Sequence, residues 1–311
     1  MVCRRRQFLA AALGSRLLDA SVFDRSRLAI IADEAGDTPE EWVSFAHRYR
    51  LTHLEMRAII QSGHPVMLDD LPAAELRSIA ARLASEGIKV SFFNSALLKY
   101  TLPGTVPVAK EDWYESLYAR RRLTPEILYR TRRERLRRAL EAAHILGTNL
   151  LRTFTFWRVR DPRSLYPRLV DLIGEMGEEA KSANMKLLVE TEFATNAATS
   201  AEIRDLLALL PSPSIGINWD PQNSLVLEPD VFPAGYRKLP RNRIWNVQLK
   251  AEGLFGVNGK NKLPWGEIFH TLRNDGYQGL FGLETHFGQG AANFAMSRRA
   301  MEEVIRLAGA G

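Results

Sequence analysis

Four side chains with oxygen donors lie at or just after the ends of short apolar runs in this 311-residue chain: Glu190, Asp220, Gln248 and Glu284. Carboxylates brought close together repel one another and raise each other's pKa, and a bound cation removes that cost. Oxygen donors suit hard or borderline divalent cations. The pattern therefore predicts a site for Mn²⁺, Mg²⁺ or Co²⁺, with Zn²⁺ less favoured.

The apolar runs that carry these residues belong to a series of eight. Each is short and rich in β-forming residues, and amphipathic helical stretches usually separate one run from the next. Thr38-Pro39 and Thr124-Pro125 are typical helix starts, with a capping hydroxyl and a proline in the first turn. The predicted strands are residues 28–32, 51–56, 88–93, 149–156, 185–190, 214–219, 244–249 and 279–284.

Eightfold alternation of strand and helix predicts the α/β class and a single (β/α)8 TIM barrel over residues 25–311. A doubly wound open sheet is the alternative, but it usually has a glycine-rich turn after its first strand, and residues 32–37 lack one. Barrel active sites lie at the C-terminal strand ends. The barrel thus predicts that Glu190, Asp220, Gln248 and Glu284 converge as ligands of one metal ion.

Three segments carry a family resemblance: Leu188-Val189-Glu190-Thr191-Glu192, then Asn218-Trp219-Asp220-Pro221-Gln222-Asn223, then Leu283-Glu284-Thr285-His286. In this order and spacing they resemble the xylose isomerase-like TIM barrel superfamily, which includes sugar phosphate isomerase/epimerase-like proteins. Weaker similarity lies at residues 53–57 and 151–158.

The resemblance implies a divalent-metal-dependent isomerase or epimerase that acts on a sugar or sugar-like hydroxy-carbonyl substrate by carboxylate-mediated proton transfer. It implies that Glu190 and Glu284 are catalytic acid/base groups as well as metal ligands. The expected partner is a small-molecule carbohydrate. The side chains expected to bind it are Glu55, Arg57, Lys99, Arg152, Arg158, Asn223, Lys250 and His286.

Gln248 departs from the superfamily pattern, because a histidine metal ligand usually stands at this place. An amide oxygen is a weaker, neutral ligand, so metal affinity should fall or the preference should shift towards harder ions. Two alternatives to the isomerase or epimerase stay open, and the departure at Gln248 favours the second. One is a metal-dependent lyase or deglycosidase acting on an oxidised sugar, and the other is a catalytically silent sugar-binding paralogue.

Residues 1–24 are predicted to be a leader outside the barrel. The run Arg4-Arg5-Arg6-Gln7-Phe8-Leu9 and the apolar residues after it resemble a twin-arginine export signal. Arg16 and Asp19 interrupt the apolar run early. The expected location is the periplasm or the exterior, with the cytoplasm as the alternative if the leader is not a signal.

The net charge of +6 is concentrated in nine arginines between residues 120 and 138. We predict a helix there, with the arginines in solvent and Leu123, Ile127, Leu136 and Leu140 facing inward.

No aromatic residues interleave at base-stacking spacing, so no nucleic-acid partner is expected. No apolar run reaches the ~18–20 residues of a membrane span, so no membrane partner is expected after leader removal. Cys3 alone supplies no disulfide framework. The oligomeric state stays open, with a homo-oligomer among the expectations.

Overall fold

The computed structural model describes residues 22–210, 212–256, 262–286 and 290–309. Most of the predicted leader, residues 1–21, lies outside the described residues. Val22 and Phe23, at its end, are buried, and both backbone N–H groups donate to the Ala308 carbonyl. The packed barrel therefore includes these two residues.

Ten strands are described, and eight of them form a parallel sheet in the order β1-β10-β9-β8-β7-β6-β5-β2. A parallel bridge between Ile31 and Glu55 joins the two ends of this order, so the sheet is nearly closed. The eight predicted runs correspond to these eight strands, and the TIM barrel is confirmed. The strands are Leu28–Ile30 (β1), His53–Met56 (β2), Ala58–Gln61 (β3), His64–Met67 (β4), Lys89–Leu97 (β5), Leu150–Thr153 (β6), Lys186–Glu190 (β7), Ile215–Trp219 (β8), Ile244–Lys250 (β9) and Leu280–Glu284 (β10).

Two features beyond the eight strands bear on the site. Strands β3 and β4 form an antiparallel hairpin after β2, which the sequence did not predict. A single 3₁₀ turn over Ala32–Glu34 follows β1 and carries Asp33 and Glu34, both buried. Because this turn lies at the C-terminal end of a barrel strand, its two carboxylates face the catalytic end.

Helices cover the outside of the barrel. The predicted start at Thr38 is confirmed, because the Thr38 hydroxyl accepts from the Glu41 N–H while the Glu41 carboxylate accepts from the Thr38 N–H. The described α-helices are Pro39–Tyr49 (α1), Ala73–Ser85 (α2), Asp112–Arg120 (α3), Pro125–Arg130 (α4), Arg132–Leu146 (α5), Tyr166–Ser182 (α6), Ser200–Ala208 (α7), Pro221–Leu225 (α8), Ala251–Phe255 (α9), Trp265–Asn274 (α10) and Ala291–Leu307 (α11). Within the described parts of the chain, no helix has the length and apolar character to cross a membrane.

The arginine-rich stretch forms parts of three helices, α3 to α5, rather than the single helix predicted. Leu136 and Leu140 face inward as expected, but Leu128 is buried in α4 where Leu123 and Ile127 are only half-buried. Several of its arginines pair with carboxylates of neighbouring elements: Arg121 and Arg138 with Asp70, Arg133 with Glu175, and Arg137 with Glu179. These ion pairs show that the arginines lie on a helix surface that packs against neighbouring elements of the barrel.

The barrel interior holds a buried carboxylate, Glu55, in a cage of amides. Its oxygens accept hydrogen bonds from Asn94 at 2.8 Å, Asn246 at 2.9 Å and Gln248 at 3.0 Å. Burial raises the pKa of Glu55 to about 7, and the amide donors from Asn94 and Asn246 oppose that rise. The cage fixes the Glu55 side chain against β10, where Gly282 leaves room for it: a Cβ built there would lie 1.9 Å from Glu55 Oε1.

We expect Gly282→Ala to lower the free energy of unfolding by about 1–3 kcal/mol, because the new methyl group must displace a carboxylate that three amides hold. Urea unfolding measures the change. The control is Gly266→Ala in α10, where an added Cβ meets nothing within 4 Å. It should leave stability unchanged or raise it by up to about 1 kcal/mol. Equal stability of both variants would mean that Glu55 moves aside freely.

Candidate active site

Three buried carboxylates converge at the C-terminal end of the barrel, and we call Glu190, Asp220 and Glu284 the acidic triad. Glu190 ends β7, Asp220 directly follows β8, and Glu284 ends β10. One oxygen from each lies within 4.8 Å of the others. All three are less than 5% exposed. The parallel register brings these strand ends together, as the sequence predicted.

Arg152, on β6, holds Glu190. Its guanidinium donates to Glu190 Oε2 at 2.9 Å, and the Asn218 amide donates to the same oxygen at 2.7 Å. Arg152 also donates to the backbone carbonyls of Ser95 and Asn94, and it is 1% exposed. Since Arg152 is fixed at several points, it orients the carboxylate as well as balancing its charge.

Asp220 is the N-cap of α8. Its Oδ1 accepts from the Asn223 N–H at 2.9 Å. Its Oδ2 is buried and receives no hydrogen bond from the described residues, although the Lys250 ammonium lies 3.3 Å away as an ion pair. Burial raises the pKa of Asp220 to about 7, against the opposing charge of Lys250. Asp220 Oδ2 is thus a buried oxygen with unused acceptor capacity.

Glu284 has three basic neighbours. Arg57 donates to Oε1 at 2.7 Å, Lys250 donates to Oε2 at 2.8 Å, and His286 Nε2 lies 3.2 Å from Oε1. Burial alone would raise the pKa of Glu284, but Lys250, His286 and Arg57 outweigh it and hold the pKa well below its usual range. Glu284 is therefore ionised at neutral pH.

A pocket of about 470 Å³ opens onto this end of the barrel, and we call it the mouth pocket. Arg57, Lys250, His286 and Glu284 line one side of it. Lys99 lies on another side, between Glu111 at 3.0 Å and Glu192 at 3.3 Å. The indole of Trp113, 42% exposed, lies at the rim. The pocket thus combines charged groups with an aromatic face.

The acidic triad fits a divalent cation. Oxygens that share one ion at 2.0–2.6 Å lie no more than about 5 Å apart, which the triad satisfies. The unused Asp220 Oδ2 supplies a free lone pair for it. The Gln248 oxygen accepts from Asn246 at 3.1 Å and the Gln248 amide donates to Glu55, so the role of Gln248 as a fourth ligand stays a prediction. Lys250, two residues further along β9, contacts Asp220 and Glu284.

The structure brings some of the predicted substrate-binding residues to the mouth pocket and not others. Arg57, Lys99, Lys250 and His286 line it. Arg158 instead pairs with Glu202 in the capping box of α7. Asn223 donates to Glu192 from behind the pocket wall, Arg152 holds Glu190, and Glu55 lies in its amide cage.

The sequence did not predict eight of the residues that line the mouth pocket, among them Asp33, Glu34, Glu111 and Trp113. Asp33 and Glu34 follow β1 directly and bind Arg57 at 2.9 Å each, so reading the polar residues after the first strand would have found them. Glu111 lies just before α3 and Trp113 lies within it, in the long connection between β5 and β6. No local sequence pattern marks either residue.

We expect Gln248→Met to lower the free energy of unfolding by about 1–3 kcal/mol, because Glu55 loses one of its three amide donors. If the Gln248 oxygen is not a metal ligand, the folded variant should bind Mn²⁺ as the wild type does. Urea unfolding and calorimetric Mn²⁺ titration measure the two effects. Unchanged stability with a loss of Mn²⁺ affinity would instead assign Gln248 to the metal site.

The sequence model of the xylose isomerase-like TIM barrel family matches residues 55–306, so the chain belongs to this family. Comparison with curated proteins gives no significant sequence match.

Solved structures of sugar epimerases share the fold. The apo form of 3-keto-D-glucoside 4-epimerase YcjR from E. coli is 14% identical, with a TM-score of 0.65 over 90% of this chain and 98% of that one. An L-ribulose 3-epimerase is 16% identical, with a TM-score of 0.65 over 91% and 95%. D-psicose 3-epimerase from Clostridium cellulolyticum H10, with D-tagatose, is 16% identical, with a TM-score of 0.63 over 91% and 98%.

Proposed function

We propose that this protein is a divalent-metal-dependent isomerase or epimerase of a hydroxy-carbonyl sugar. The observation that carries the proposal is the convergence of Glu190, Asp220 and Glu284 within 4.8 Å at the ends of β7, β8 and β10, next to an open pocket. The epimerases that share the fold supply the reaction class. A divalent ion held by the acidic triad would stabilise the negative charge that develops on the substrate oxygen when the neighbouring carbon loses its proton.

The two glutamates of the triad are the proton-transfer groups in this proposal. Glu284 is ionised and lines the pocket, so it can take the proton from the carbon beside the carbonyl. Glu190, oriented by Arg152 from a different strand, would return a proton from another direction after first taking one from solvent, and Glu284 would release its proton to solvent at the end of the turnover. If one carboxylate removes the proton and the other returns a proton to the opposite face of the same carbon, the configuration of that carbon is inverted, as in an epimerase. If the proton is instead returned to the neighbouring carbon, the sugar is isomerised.

The substrate that suits the pocket is an uncharged sugar rather than a sugar phosphate. A phosphate needs a lysine or arginine free to pair with it. Among the described residues, each lysine and arginine of the mouth pocket already pairs with carboxylates: Arg57 with Asp33, Glu34 and Glu284, Lys99 with Glu111 and Glu192, Lys110 with Glu115, and Lys250 with Asp220 and Glu284.

Turnover of a substrate panel with added Mn²⁺ tests the proposal. The panel contains free ketoses, 3-keto-glycosides and the phosphorylated counterpart of each ketose. We expect conversion of a free sugar or glycoside, loss of activity with a chelator, and recovery with Mn²⁺. Metal binding without turnover of any member would favour the silent sugar-binding paralogue. Preference for a phosphorylated sugar would contradict the uncharged substrate.

A lyase or deglycosidase on an oxidised sugar is the second candidate, and Glu192 favours it. Burial raises the pKa of Glu192 to about 8 against the opposing charge of Lys99, so this pocket carboxyl keeps its proton at neutral pH. A protonated carboxyl beside the substrate can protonate a leaving group. Release of an aglycone from a 3-keto-glycoside in the same panel would identify this reaction.

We also propose export through the twin-arginine-like leader, on the strength of the Arg4-Arg5-Arg6-Gln7-Phe8-Leu9 pattern. Cell fractionation with mass spectrometry of the N-terminus should find a shortened chain outside the cytoplasm. Changing Arg5 and Arg6 to Lys should retain the chain inside the cell. An intact N-terminus found only in the cytosol would refute export.

A further inference from the structure

We propose that Lys250 is the resident cation of the acidic triad and that a divalent ion binds only by displacing it. The inference rests on the metal site of the proposed function and adds a residue that opposes metal binding. It would make Lys250 the main determinant of how tightly this barrel holds its ion.

The position of the ammonium carries the inference. Lys250 Nζ lies 2.8 Å from Glu284 Oε2 and 3.3 Å from Asp220 Oδ2. These are two of the three carboxylates that would hold the ion. The Lys250 side chain is only 4% exposed, so the ammonium is committed to these oxygens. An ammonium and a divalent ion that use the same oxygens exclude each other.

Access to the triad gives a second, independent argument. Lys250 and Glu284 line the mouth pocket, whereas Glu190 and Asp220 do not. Lys250, which lines the pocket and contacts the buried Asp220, therefore lies at the boundary between the pocket and the buried part of the triad. An ion shared by the triad and a substrate oxygen would use the Asp220 and Glu284 oxygens that the ammonium now contacts.

The local charge balance points the same way. Four basic side chains contact the three carboxylates: Arg152 pairs with Glu190, Arg57 and His286 with Glu284, and Lys250 with Asp220 and Glu284. Two extra positive charges would then repel the buried ammonium at close range. The displaced ammonium has a carboxylate to move to, because Glu111 lines the same pocket and, although burial would raise its pKa, the charge of Lys99 holds the pKa of Glu111 below its usual range. Arg57 and Arg152 each hold at least two further groups outside the triad, whereas Lys250 has one such contact, with His286 Nε2 at 3.1 Å, so Lys250 is the least restrained of these cations.

Calorimetric titration of the metal-free full-length protein with Mn²⁺ tests the displacement. We expect Lys250→Met to bind Mn²⁺ at least 10-fold more tightly than the wild type, since the competing charge is gone. Lys250→Arg keeps the charge and should show no such gain. The control is Lys89→Met at the opposite end of the barrel, where the exposed lysine begins β5. Equal or weaker binding by Lys250→Met would overturn the inference.

A second measurement uses the wild-type protein, so its result does not depend on whether the Lys250→Met variant folds. Mild acetylation followed by mass spectrometry reports the reactivity of each lysine. Saturating Mn²⁺ should increase the labelling of Lys250 and leave Lys89 unchanged. Unchanged labelling of Lys250 with Mn²⁺ bound would overturn the inference.

The outcomes separate this inference from the proposed function. If wild type and Lys250→Met bind Mn²⁺ equally, the metal site stands and the displacement fails. If only Lys250→Met binds Mn²⁺, the displacement stands and metal dependence of the wild type fails. If neither binds Mn²⁺, both fail.

Discussion

Glu284→Gln should lower turnover by about 10³-fold or more, because it removes both a charged metal ligand and the proton acceptor that faces the pocket. Glutamine keeps the size of the side chain, so the mouth pocket should stay intact. The same variant should bind Mn²⁺ more weakly, since one of three carboxylates is lost. Steady-state kinetics on the best substrate of the panel and calorimetric titration measure the two losses.

Glu267→Gln is the matched control for this experiment. Glu267 lies in the first turn of α10, is exposed, and does not line the mouth pocket. It should retain wild-type turnover and Mn²⁺ affinity. A Glu284→Gln variant that folds and keeps more than about a tenth of wild-type turnover would exclude Glu284 as the general base.

Arg152→Met should lower the free energy of unfolding by about 3–5 kcal/mol, because it leaves the buried Glu190 without its cation. Two backbone carbonyls, of Ser95 and Asn94, would lose their donor as well. Urea unfolding measures the loss, and Mn²⁺ should restore part of it, since an ion bound only to the folded state stabilises that state.

The control for this loss is Arg163→Met. Arg163 pairs with Asp205 at 2.8 Å, but its side chain is 58% exposed. Solvent screens such a pair, so the change should cost about 1 kcal/mol or less. A similar small cost for Arg152→Met would mean that Glu190 is protonated or solvated, which would remove it from the proposed metal site.

The strand ends were predictable from the sequence for a physical reason. Parallel strands buried on both faces give short apolar runs, and a polar residue that ends such a run must lie at the barrel mouth. Glu190, Asp220 and Glu284 followed from this rule. The same rule applied to β1 would have added Asp33 and Glu34.

The direction of individual side chains could not be predicted in this way. Gln248 and Lys250 are two residues apart on β9, so both side chains lie on the strand face that points into the barrel. The sequence alone could not tell which of them contacts the triad. In the structure Gln248 completes the amide cage of Glu55, and Lys250 reaches Glu284 and Asp220. Arg158 was expected at the substrate, but its partner Glu202 lies 44 residues further along the chain.

Solvent-deuterium incorporation tests the proposed proton transfer most directly. The protein is incubated in D₂O with Mn²⁺ and the best sugar of the panel, and proton NMR follows the C–H signal beside the carbonyl. The account predicts that wild-type protein replaces this one hydrogen with deuterium as product forms, and that Glu284→Gln does not. Product formed without deuterium, or a bound sugar that gives neither exchange nor product, would contradict it.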